Sequence, residues 1–104
     1  MAQFDDRERA FEAKYAHDAE MVFRAEARRN KLLANWAGEI LGKTGAELDA
    51  YVVEVMKSDF EEAGHEDVVR KVSGDLGDKA TDDEVRRKMD ELLIEAKGQI
   101  ASES

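Results

Sequence analysis

Thirty-one residues, Met1 to Lys31, pass without a glycine or a proline, and charge runs through them almost end to end. Among those charges stand Phe4, Phe11, Tyr15 and Phe23. The stretch reads as one long helix, too polar to be wholly buried and too aromatic to be idle surface. A helix from Phe4 to Leu41 would be roughly 57 Å long at the usual rise. A domain of this size has a radius of gyration of only about 13 Å. Such a helix must overhang its domain, bend back on it, or fray at its free end.

The remaining apolar pattern calls for three more helices. Leu32, Leu33, Trp36, Ile40 and Leu41 look like core, and Gly42 ends the first helix in a left-handed conformation that costs glycine nothing. Thr44-Gly-Ala-Glu47 is a capping box that opens a second helix, with Leu48, Tyr51, Val52, Val55 and Met56 on its apolar face. Ser58 to Glu61 repeats the signature before Gly64. A third helix from His65 to Leu76 buries Val68, Val69, Val72 and Leu76. Thr81-Asp-Asp-Glu84 starts the fourth, whose buried positions are Val85, Met89, Leu92, Leu93, Ala96 and Ile100, with a loose tail from Ala101. No strand pattern competes. The predicted fold is all-α, a four-helix bundle with a long first helix whose N-terminal part is mobile or projecting.

Charge divides the chain differently from hydropathy. Residues 1–31 hold seven acids and seven bases, so the whole net charge of −9 belongs to residues 32–104. The expected organisation is a neutral arm, 1–31, and an acidic helical body, 32–104. An acidic body repels phosphate backbones, which argues against nucleic acid as a partner. Without cysteine there is no disulfide, thiolate or zinc-finger chemistry. No apolar run approaches the ~18 residues that cross a bilayer, and no signal-peptide pattern opens the chain, so a cytoplasmic location without membrane insertion is expected.

Enzyme chemistry finds little support. Gly38-Glu-Ile-Leu-Gly42-Lys43-Thr44 echoes a phosphate-binding loop, but it is one residue short and follows a helix rather than a strand. Helix termination by Gly42 and capping by Thr44 explain it without a ligand. A weak ATP or ADP contact at Gly42, Lys43 and Thr44 is the alternative, since exposed amides and a lysine favour anions. His17 and His65 are far apart in sequence, and their neighbouring acids Asp18, Glu66 and Asp67 point to other helix sides, so no metal site is expected. Asp5-Asp6 and Asp82-Asp83-Glu84 sit at helix starts, where the macrodipole accounts for them. No nucleophile with a partnered base is present. The expectation is a protein without catalytic residues, cofactor or metal.

The aromatic stripe of the arm has two readings. It covers the bundle as core, or it inserts into a partner's groove, and both use the same residue spacing. Self-association through Phe11 and Tyr15 is a third.

The arm carries a resemblance. Phe4-Asp-Asp-Arg-Glu-Arg-Ala10, Glu12-Ala-Lys-Tyr-Ala-His-Asp18, Ala25-Glu-Ala-Arg-Arg-Asn-Lys-Leu-Leu33, Trp36-Ala37 and Leu41-Gly-Lys-Thr-Gly45 resemble the zeta-subunit family. So do Ser58-Asp-Phe60 and Glu66-Asp67-Val68, which extends the likeness over essentially the whole chain. These are small inhibitor proteins of the alphaproteobacterial F-type ATP synthase. The resemblance implies a four-helix bundle whose mobile N-terminal segment blocks ATP hydrolysis. That segment becomes helical as it enters an interface between catalytic α and β subunits and reaches the γ stalk. Carried over, the inhibitory segment is Phe4 to about Ala19. Its partner-binding residues are then Phe4, Asp5, Asp6, Arg7, Glu8 and Arg9, followed by Phe11, Glu12, Lys14, Tyr15, His17 and Asp18. The aromatics supply anchors, while the charges fix register. The implied location is the cytoplasmic side of the inner membrane, peripheral to it through the synthase.

Overall fold

Asp18 divides what the sequence pattern draws as one helix. The computed structural model describes residues 2–15, 18–59 and 64–103, with side chains from Arg9 onward. Helix α1 spans Ala2–Tyr15 and α2 spans Ala19–Ile40. Asp18, between them, is extended (φ −102°, ψ 101°). Its carboxylate accepts hydrogen bonds from the amides of Glu20 at 3.0 Å and Met21 at 3.3 Å, satisfying donors that a helix start leaves open. The continuous helix from Phe4 to Leu41 is therefore corrected to two helices. α1 does not project: it lies along the C-terminal half of α5 (Asp82–Glu103), and the longest dimension of the chain is 38 Å.

The rest of the chain supplies α3 (Gly45–Ser58), α4 (Glu66–Leu76), a 3-10 turn (Gly77–Lys79) and α5. The described residues are thus all-helical, with five α-helices. Glycine ends α2 as its pattern requires. Gly42 has φ +78°, its amide donates to the Glu39 carbonyl at 3.0 Å, and the Lys43 amide donates to Gly38 at 2.9 Å. Those are the paired bonds of a Schellman ending.

The two readable capping boxes behave differently. At Thr81 both bonds form: the Glu84 amide donates to the Thr81 hydroxyl at 3.1 Å, and the Thr81 amide donates to the Glu84 carboxylate at 2.8 Å. Thr44 occupies the N-cap position of α3, but its side chain makes no capping bond, which corrects the expectation there. The third signature, Ser58 to Glu61, runs into positions outside the described residues. Ser58 itself closes α3, its hydroxyl donating to the Val55 carbonyl at 2.6 Å. The C-terminal end is also corrected. Helix α5 continues through Glu103, whose carboxylate pairs with Arg28 on α2, so Ala101 to Glu103 are not a loose tail.

Two separate apolar clusters hold the helices. The main one joins Leu33, Ala34 and Ala37 of α2 to Tyr51 and Val55 of α3, to Val68, Val69, Val72 and Leu76 of α4, and to Val85, Met89 and Leu92 of α5. Ala34 and Ala37 take the central positions and Ile40 is left exposed, because small residues let α2 and α3 approach closely. Gly38 marks the tightest point. A Cβ there would stand 2.4 Å from Leu48 Cδ1. The second cluster is a satellite of Phe11, Tyr15, Ala25 and Ile100, flanked by Met21, Val22, Leu93 and Ala101. Among the described side chains of α1, Arg9 to Tyr15, none enters the main cluster.

Candidate functional site

Helix α1 keeps its described aromatic side chains inward and its described charges outward. Phe11 is 1% exposed and Tyr15 is 8% exposed, while Arg9, Glu12 and Lys14 face solvent. The two rings meet edge to face with centroids 5.2 Å apart, the orientation that aromatic quadrupoles favour. Lys97 of α5 holds this pair from the far side. Its ammonium lies 5.6 Å from the Phe11 centroid and 3.8 Å from the Glu12 carboxylate. Lys14 stands over Tyr15 at 5.9 Å. A cleft of about 190 Å³, partly open to solvent, borders the pair among Phe11, Glu12, Val22, Glu26, Leu93 and Lys97.

Of the twelve residues assigned to partner binding, those described divide by role. Phe11 and Tyr15 are buried, Arg9, Glu12 and Lys14 are exposed on α1, and Asp18 caps α2. The side chains of Phe4, Asp5, Asp6, Arg7 and Glu8, and the whole of His17, lie outside the described residues. Phe23, the other aromatic of the arm, stands on α2 and is 59% exposed beside a groove formed with Ala27 and Met56.

At the Gly42–Lys43–Thr44 turn the backbone closes α2 and opens α3. The Lys43 ammonium lies 5.7 Å over the Tyr51 ring, and Lys71 stands 5.5 Å from the same ring. Leu41, Lys43, Tyr51, Glu54 and Asp75 enclose a hollow of about 280 Å³. The Tyr51 hydroxyl is buried without a hydrogen bond of good geometry, and burial, then the neighbouring Asp75 carboxylate, pushes its pKa up. Two of the five lining side chains are carboxylates, which oppose a phosphate.

A polar cluster escaped the sequence reading. Arg29 is 3% exposed, and Asn30 beside it is 2% exposed. The Arg29 guanidinium donates to the Asn30 side-chain oxygen at 3.0 Å and contacts His65 Nδ1 at 2.9 Å. Asn30 donates in turn to Asp59 at 3.0 Å. Arginine only donates, so His65 Nδ1 accepts, and its Nε2 faces Glu26 at 3.5 Å. Burial lowers the Arg29 pKa, opposed by Glu26, Asp59 and Asp90. The cluster ties α2 to the α3–α4 connection. A break in the apolar pattern at Arg29-Asn30 was the available signal. Among the described residues no group of histidine and acid side chains is arranged to hold a metal ion. None of their helices is long and apolar enough to cross a membrane.

These features define a small all-helical protein whose distinctive element is an amphipathic helix set on a satellite core, apart from the main one. The family model of the ATPase inhibitor subunit zeta matches residues 1–99, and the chain belongs to that family. A solved structure, a solution NMR structure, is 57% identical, with a TM-score of 0.73 over 81% of this chain and 99% of that chain. No curated protein matches the chain significantly.

Proposed function

We propose that α1 is the inhibitory element of an F-type ATP synthase inhibitor, acting by insertion at a catalytic interface of α and β subunits and reaching the γ stalk. The family supplies the inhibitory role and association with the synthase. The observation that carries the insertion reading is the separateness of the satellite core. Phe11 and Tyr15 share one face of α1, and none of the described side chains of that helix belongs to the main cluster, so their release leaves that cluster closed.

In this reading α2 to α5 form a four-helix body, and the neutral arm of residues 1–31 comprises α1 and the first half of α2. Phe4 to about Ala19 enters the enzyme, while residues 32–104 stay outside and position it. Each buried aromatic contributes about 1.5–3 kcal/mol of apolar burial, whether against α5 or within the partner. The charges Asp5, Asp6, Arg7, Glu8, Arg9, Glu12 and Lys14 set register. His17 and Asp18 lie at the arm's end. A wedge between subunits that must open and close during hydrolysis halts turnover without touching nucleotide. The protein then acts as a non-catalytic regulator at the cytoplasmic face of the synthase.

The test is ATP hydrolysis by an alphaproteobacterial F-type ATPase, titrated with the full chain and with a version lacking residues 1–19. Inhibition by the full chain alone is expected. Equal inhibition by both would move the activity to the helical body.

Weak nucleotide contact at Gly42, Lys43 and Thr44 is a second reading, favoured by Lys43 at the mouth of the hollow beside Tyr51. Amide shifts at residues 42–45 on adding ATP, lost in Lys43→Ala, would support it. Self-association through Phe11 and Tyr15, like insertion, would require those rings to leave α5, and a concentration-dependent mass would support it.

A further inference from the structure

We infer that the docking of α1 on α5 is an autoinhibitory latch: the docked chain hides its own anchors, and release at Asp18 lets α1 continue α2 as one straight helix. This rests on the insertion reading above.

Three observations carry it. First, both described anchors are consumed by docking. Phe11 is 1% exposed and Tyr15 is 8% exposed against α5, so neither ring is available to a partner while α1 is docked. Second, the docked helix fits loosely. A cleft of about 190 Å³, partly open to solvent, runs along the seam where Phe11, Val22 and Leu93 of α1, α2 and α5 meet. The Glu12–Lys97 approach is 3.8 Å, and Glu12 is more than half exposed, so solvent screens that pair. Third, the sequence across the bend favours helix. There is no glycine or proline from Met1 to Lys31. Phe11, Tyr15 and Val22 fall at spacings of four and seven residues, which align on one face of a continuous helix. The Asp18 cap and the satellite core are what hold the bend.

Two arrangements of one segment thus compete. Docking buries the rings against Ile100, Leu93 and Ala25, whereas straightening brings Asp18 into the helix and displays the rings beyond the body. An inhibitor whose competent form is a minor population binds more weakly by that fraction, and whatever raises the population raises apparent affinity equally.

The chain has no native cysteine, so the labelled pair Ala10→Cys and Lys31→Cys, both exposed sites, reports the bend by spin-label distance. The free protein should give mainly the bent, short distance. Ile100→Asp, which sets a carboxylate into the satellite core and leaves the main cluster intact, should add a population near roughly 32 Å, the rise of the intervening straight helix. Its half-inhibiting concentration should fall by the same factor as the released population grows. Lys97→Glu, facing Glu12 and losing its place over Phe11, should act in the same direction and serves if Ile100→Asp fails to fold. In complex with the ATPase, the long distance should dominate.

An inhibited complex that keeps the short distance overturns the latch and leaves the inhibitory reading intact. Longer distances in both variants with unchanged half-inhibiting concentrations overturn it too, because docking would not be limiting. If the distances lengthen and no form inhibits, the inhibitory reading itself fails, and the latch fails with it.

Discussion

Lys97 stands over the Phe11 ring at 5.6 Å while its ammonium also approaches the Glu12 carboxylate at 3.8 Å, so one side chain of α5 grips α1 by an apolar and a charged residue at once. This grip belongs to a cluster separate from the main core, and that separation governs how the molecule responds to substitution.

Phe11→Ala should loosen α1 and spare the body. Truncating a buried phenylalanine in a single core costs about 3–5 kcal/mol. Here the cost is capped at the docking free energy of α1, because the helix can undock without unfolding the rest. Amide exchange should lose protection over residues 9–15 while α3 and α4 keep theirs. A loss of protection spread evenly through all helices would refute the separation of the two clusters.

The two threonine caps give an internal comparison. Thr81→Ala breaks a bond that is made and should cost about 1 kcal/mol. Thr44→Ala breaks none and should stay within about 0.5 kcal/mol of wild type. Denaturant melts of the two variants side by side decide it, and equal losses would contradict the geometry at Thr44.

Gly38 is a packing residue, so its substitution should couple to Leu48. Overpacking costs about 1–3 kcal/mol, and alanine's better helix propensity returns about 1 kcal/mol. Gly38→Ala should therefore fall between neutral and about 2 kcal/mol destabilising, because the methyl that must move is the end of the half-buried Leu48 side chain, with each net kcal/mol lowering Tm by about 4–8 °C in a domain near this size. Leu48→Ala makes room for the new methyl, so the double variant should lose less than the two singles together. Strict additivity would mean that the close approach at Gly38 carries no energy.

Acid should weaken two surface clamps. Glu66 accepts from Arg86 at 2.7 and 2.8 Å, and Glu103 pairs with Arg28; these hydrogen bonds hold both carboxyls below their ordinary range. Their unfolded values lie near about 4.3. The folded pKa is the lower one, so the stabilisation is complete above the unfolded value and is lost as pH falls through the folded one. Protonating many acids also relieves the net charge of −9, which works in the opposite sense. The wild type should therefore lose its stability advantage over Glu66→Gln and Glu103→Gln as pH falls below about 4.5. Thermal melts of the three proteins from pH 7 to 3 measure this. A difference that does not change with pH would place the stabilisation elsewhere.

Helix starts, ends and faces were legible wherever the cause lies within a few residues. Thr81 with Glu84, Gly42 with its neighbouring amides, and the valines of α4 are local matters of hydrogen bonding, backbone freedom and period, and they stand where the sequence puts them. The family resemblance was legible for the same reason: it is written in contiguous blocks. Arg29 and Asn30 were not legible, because their partners Asp59 and His65 come from about thirty residues away and only the fold brings them in. Thr44 shows the reverse, a correct local signature whose bond the fold leaves unmade.

By itself, then, the sequence determined an all-α chain, the starts of the helices after Gly42 and a neutral aromatic stretch followed by an acidic one. Only the tertiary structure decided where the arm lies. Its stripe of Phe11 and Tyr15 fits a partner's groove and its own α5 equally well by spacing. The choice rests on a cap at Asp18 and on contacts to Lys97 and Ile100 some ninety residues away, and periodicity carries no information about a partner at that separation.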